Sequence, residues 1–143
     1  ISEGFHNCSH HSEVPANIER LARLNEYHTR TTIGSLLQKL GSTPDGDGTL
    51  LDHSLVVYGS GMSNPNHHDH HPLPMLLAGG ARGVQGGRHI RVAEDMPAAN
   101  LLLGVLHKLD VPLESFADST GAVEIGALPP HWCVHRRCCC SRR

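Results

Sequence analysis

A chain of 143 residues fits one domain with a modest core. Its 12 Lys and Arg against 14 Asp and Glu give a formal net charge of −2, which argues against a nucleic-acid partner held by phosphate neutralisation, since that needs a basic stripe. No run approaches the roughly 20 apolar residues of a membrane-spanning helix, and with aromatics at 3% any packing rests on Leu, Val, Ile and Ala.

In chain order, the first feature is a dense polar motif, His6-Asn7-Cys8-Ser9-His10-His11, reached almost at once from Ile1. So abrupt a start leads us to expect that an N-terminal portion of a parent chain lies upstream. Residues from about Val14 to Leu40 then read as one long helix. Ile18, Leu21, Leu24, Ile33, Leu36, Leu37 and Leu40 recur at three- and four-residue spacings, with charged residues mostly between them. Pro15 suits the first turn and Gly41 the stop. The stretch from Ser42 to Gly48 is a turn cluster.

Leu55-Val56-Val57-Tyr58 and Leu73-Pro74-Met75-Leu76-Leu77-Ala78 are short apolar runs that predict strands, with Pro74 at the start or on an edge. Gly86–Val92 is a candidate third, more exposed strand. Asp95 is placed as the cap of a second helix that has Pro97 in its first turn and runs to about Leu109. Val123-Glu124-Ile125 is a candidate last strand. The order predicts an α/β fold with one long N-terminal helix, two to four short strands and a second helix, too few strands for a complete sheet.

After Leu128 the character changes, and four of the five cysteines lie there. Cys138, Cys139 and Cys140 are contiguous, whereas zinc sites usually space their cysteines about two to four residues apart. Residues 128–143 are therefore expected to be a disordered or aberrant tail, with 1–127 as the domain. Cys8 alone then remains, which says nothing about redox compartment.

Chemistry points to the histidines. There are 13, and two groups stand out: His6, His10 and His11, and His67, His68, His70 and His71 around Asp69. Neutral imidazole is the commonest metal-binding side chain. His6 and His10 are four residues apart, so one helical turn puts them on one face, while adjacent His11 points elsewhere. The second group sits in a loop that leaves a predicted strand, where α/β sheets place their active sites. The site expected from this pattern comprises His6, His10, His68, Asp69, His70 and His71 as a pool of metal ligands for a divalent transition metal, with zinc the first choice. Not all four loop histidines can be ligands. Asn64 and Asn66 are candidate donors to a developing oxyanion. Plainer readings stand beside this one: a polar turn before the helix, and a solvated His-rich loop that binds metal adventitiously.

Other candidates fail on spacing. Gly59-Ser60-Gly61 lacks the form of a nucleophile elbow, Ser9 has no acid near it, and Asp45-Gly46-Asp47-Gly48 lacks the downstream Glu of a calcium loop. The glycines from Gly79 to Gly87 do not form a dinucleotide fingerprint. His28, His53, His89 and His107 are set outside the site.

Gly4-Phe5-His6-Asn7-Cys8-Ser9-His10-His11 resembles the signature of the bacterial family named for its HXXSHH motif, a domain of unknown function. The resemblance continues through 51–63, His70–Gly80, Gly86–Ile90 and Asp118–Gly121, and spans about residues 1–127. It implies a C-terminal part of a longer parent, exported to the periplasm or cell surface. The family in turn is similar to the alkaline-phosphatase and sulfatase superfamily. That similarity implies an incomplete sheet of that type, a small-molecule phosphate or sulfate ester as substrate, and a nucleophile upstream of this chain. Where that superfamily usually has an Asp-His pair, this chain has Ser60-Gly61-Met62, so the acidic ligand is absent at that place. The expectation is a metal-dependent hydrolase-like domain. The alternatives are a non-catalytic exported metal- or ligand-binding protein, or a chain inactive on its own.

Overall fold

The computed structural model describes residues 4–93 and 95–126, so the expected tail lies outside the described residues. A short helix α1 (Phe5–Ser9) leads through a turn to α2 (Pro15–Thr29), a π-helical segment (Arg30–Gly34) and α3 (Ser35–Ser42). A two-residue hairpin, β1 (Pro44–Asp45) with β2 (Gly48–Thr49), follows. Next come β3 (Val56–Gly59), β4 (Met75–Ala78), a single 3-10 turn (Ala81–Gly83) and α4 (Ala98–Lys108). The chain is thus of mixed α/β class, with two small antiparallel sheets.

The long helix forms where the apolar spacing places it, since α2, the π segment and α3 run on without a break from Pro15 to Ser42. Pro15 is its first residue, where a missing N–H costs nothing. Leu21, Leu24 and Ile33 form its buried stripe, while Ile18 and Leu36 stay exposed. Glu19 with Arg23 and Glu26 with Arg30 pair along the solvent face at i,i+4 spacing. The π segment has a local cause: the hydroxyls of Thr31 and Thr32 donate to the carbonyls of Tyr27 (2.8 Å) and His28 (2.5 Å), competing with the helical amides for those acceptors.

β3 and β4 pair in the register Val56 with Ala78, Val57 with Leu77, Tyr58 with Leu76 and Gly59 with Met75. Pro74 lies just before β4, and its carbonyl accepts from Ser60 N–H at 3.3 Å. At the open end of this hairpin stands Gly79, whose φ of +111° and close approach to the Ser54 carbonyl leave no room for a Cβ. The sheet stops there among the described residues. Gly86–Val92 and Val123–Ile125, the two further candidate strands, form no ladder. Arg88 donates instead to the Ile125 carbonyl (2.5 Å) and Val123 N–H to the Asn100 carbonyl (2.9 Å), isolated bonds in place of a ladder. The turn cluster carries the β1–β2 hairpin, with Gly46 and Asp47 as its turn.

The buried centre of the second half is α4. Ala99, Leu103 and Ile125 are buried, Leu103 to 1% exposure, and Gly104 is in contact with the Val123 carbonyl, an approach that only a residue without Cβ permits. Asn100, 4% exposed, accepts from Thr120 N–H (2.8 Å) and donates to its hydroxyl (3.1 Å). Asp95, expected as the cap, lies outside the helix at φ +65°, and Pro97 occupies the N-cap with no side-chain bond.

Candidate metal centre

The loop between β3 and β4 folds back on itself as a miniature hairpin. Asn64 and Asp69 pair across it: Ser63 N–H donates to the Asp69 carbonyl (2.8 Å) and Asp69 N–H to the Asn64 carbonyl (3.0 Å). Inside, the Asn64 side-chain oxygen takes Asn66 N–H at 3.0 Å, an Asx turn. His68 N–H reaches the Pro65 carbonyl at 3.4 Å, with His68 itself in the left-handed region at φ +54°. The tip of the loop, Pro65 to His68, is thereby presented as a unit.

The opening turn meets that tip. α1 carries His6 on its single turn and His10 caps its end, so the two imidazoles face one another with ring centroids 4.7 Å apart, edge to face. His10 in turn meets His68 at 5.1 Å, again edge to face. The two histidine segments, separated in sequence by the whole long helix, therefore adjoin in space. Beside them, Asn66 accepts Ser12 N–H at 2.8 Å, and the Glu13 carboxylate oxygen Oε1 lies 3.1 Å from His67 Nε2, 3.3 Å from Asn64 Nδ2 and 3.5 Å from Asn66 Nδ2.

The remaining candidates have distinct surroundings. His70 Nδ1 lies 2.6 Å from the Gly61 carbonyl, a bond it makes as donor, which leaves Nε2 as the lone-pair nitrogen when the ring is neutral. Asp69 Oδ1 accepts His71 N–H at 2.9 Å within the loop. No side-chain contact joins His70, His71 or Asp69 to His6 or His10 among the bonds and ring pairs described. His11 is buried, 6% exposed; its Nδ1 accepts Glu13 N–H (3.2 Å) and its carbonyl takes the Asn17 amide (3.2 Å), so it braces the turn. Asn64 and Asn66 direct one amide hydrogen each to Glu13 and retain a second.

Imidazole nitrogens are donors suited to a borderline metal such as zinc. Two imidazoles that share a tetrahedral zinc, with Zn–N bonds of about 2.0–2.1 Å, have ring centroids about 5 Å apart. The His6–His10 and His10–His68 spacings of 4.7 and 5.1 Å both match. As they stand, no three His, Cys, Asp or Glu side chains among the described residues form a group able to seat an ion. The rings are adjacent in pairs.

Sequence reasoning passed over two residues. Glu13 reads as an ordinary acidic residue before a helix, and nothing in its spacing signals the left-handed turn (φ +53° at Ser12, +55° at Glu13) that swings it to the loop. His53, set aside as a strand neighbour, lies between Asp45 (Nδ1–Oδ2 2.8 Å) and Asp47 (Nε2–Oδ1 3.2 Å). The hydrogen bond to Asp45 raises its pKa above the usual 6.5, reinforced by the charges of Asp45, Asp47 and Asp52. Asp52, accepting from the Thr49 hydroxyl and N–H, is held below its ordinary 3.8.

No protein-family profile, curated protein or solved structure matches the chain. Among the described residues no helix is long and apolar enough to cross a membrane.

Proposed function

We propose that the opening turn and the β3–β4 loop together hold one divalent transition metal, zinc being the best fit. His6, His10 and His68 are its protein ligands, with His70 in reserve on the same loop. The observation that carries this reading is the 5.1 Å approach of His10 to His68, because no local rule of chain geometry brings those two residues together. Adjusting side-chain torsions is what would turn adjacent rings into a coordination shell. The cost of an off-minimum torsion is of order 0.5–1.5 kcal/mol, small beside the binding of a structural or catalytic zinc.

Three ligands and an open position would make this a metal-dependent hydrolase-like domain. Zinc so bound acidifies a water to a pKa of about 7 and polarises an ester oxygen. In that role the second N–H of Asn64 and of Asn66 is the donor available to a developing oxyanion. Phosphate or sulfate esters are the substrate class, on the resemblance to the HXXSHH family and, through it, to the alkaline-phosphatase-like fold. Export to the periplasm or cell surface, and a nucleophile carried by a longer parent chain, belong to the same resemblance. A second reading, a protein that binds metal without turnover, has His70 as a fourth ligand in the open position, its Nε2 being the lone-pair nitrogen of the neutral ring.

Calorimetric zinc titration of the whole chain tests the site. Wild type is expected to bind one equivalent, and His10→Ala and His68→Ala each to lose at least tenfold in affinity, while His89→Ala matches wild type. Equal affinity in all four rejects the site. Hydrolysis of aryl phosphate or aryl sulfate by the zinc-loaded chain separates the enzyme from the binding protein.

A further inference from the structure

We infer that Glu13 is the positioning residue that docks the β3–β4 loop onto the opening turn and sets the His10–His68 spacing; its bearing on zinc rests on the metal site proposed above. One carboxylate oxygen serves three side chains of the same loop: Asn64 at 3.3 Å, Asn66 at 3.5 Å and His67 at 3.1 Å. A single acceptor thus ties the base of the miniature hairpin, at Asn64, to two residues of its tip, Asn66 and His67. Glu13 reaches them because Ser12 and Glu13 both adopt the left-handed conformation, at φ +53° and +55°, which non-glycine residues rarely populate.

That backbone is fixed from both sides. Ser12 N–H donates to Asn66 Oδ1 at 2.8 Å, and Glu13 N–H donates to the buried His11 Nδ1 at 3.2 Å. His11 therefore orients the turn, the turn orients Glu13, and Glu13 orients the loop. Two residues on from Asn66 in that loop stands His68, and three residues back from Glu13 stands His10. None of these three braces is a ligand in the proposed set, so the arrangement separates holding the ligand segments from binding the ion. Partners of this kind commonly carry about 10- to 100-fold of a site's metal affinity.

The test compares Glu13→Ala and Glu13→Gln with wild type in the full chain, by two readouts. The first is metal-free: proton cross-relaxation between the His10 and His68 rings, with thermal unfolding as a control for global fold. Glu13→Ala is expected to lose the cross-peak at an unchanged melting temperature. Glu13→Gln, whose side-chain oxygen still accepts from Asn64 and Asn66, is expected to keep it. The second is zinc affinity, expected to fall 10- to 100-fold in Glu13→Ala and to be largely restored in Glu13→Gln. A cross-peak of undiminished strength in Glu13→Ala overturns the positioning role. If wild type binds no zinc, the metal site falls by itself, and the cross-peak still decides the role of Glu13.

Discussion

The two halves of this chain are held together by different physics. Around α4 the structure rests on packing: Leu103 and Ile125 are almost wholly buried, and Gly104 admits the Val123 carbonyl at a distance no other residue tolerates. Around the histidines it rests on directed polar contacts, with Asn64, Asn66, His67 and Glu13 in or beside solvent and tied by side-chain bonds. Cys8 and Ser9 supply the burial at the base of that region. Packing is strong and insensitive to which atom faces which. Polar clamps are individually weak, yet they fix where each ring nitrogen lies, and that is what a site needs.

The contrast is open to mutation. Leu103→Ala should cost about 2–5 kcal/mol in denaturant unfolding, because it removes methylenes and leaves a cavity in the buried centre around α4. A loss under about 1 kcal/mol would mean that α4 is not the anchor. His68→Ala, on the exposed loop, should leave unfolding almost unchanged, within about 0.5 kcal/mol, while zinc affinity drops at least tenfold.

The smallest effect is expected at His53. Its folded pKa is raised, so the protonated ring favours the folded state. That contribution is fully present below the ordinary value of 6.5 and is lost as pH rises through the higher folded value. Wild type should thus lose a little stability relative to His53→Ala as pH is taken from 6 upward through the His53 titration. A His53 ring that titrates at or below 6.5 by NMR would contradict the geometry of the Asp45 pair.

What could be read from the sequence follows the same division. The long helix and the β3 and β4 runs were legible because their signals are local: apolar residues at three- and four-residue spacing, and short apolar runs closed by glycine. The π segment was not, since it depends on which carbonyls Thr31 and Thr32 capture. Gly86–Val92 and Val123–Ile125 are candidate strands by pattern but form no ladder, because a strand exists only with a partner, and Arg88 and Asn100 supply isolated bonds instead. The candidate ligands follow from residue type, from the four-residue spacing of His6 and His10, and from the place of the second group in a loop after a strand. Their pairing through His10 and His68, and the clamp at Glu13, depend on consecutive left-handed residues that no propensity scale anticipates.

The most direct measurement is a zinc titration of the full chain followed through its histidine ring signals by long-range proton–nitrogen NMR. Convergence of the two segments on one ion predicts that His6, His10 and His68 shift together and saturate at one equivalent, while His53 and His107 stay in place. Shifts spread evenly over exposed histidines, or confined to one of the two segments, would contradict it.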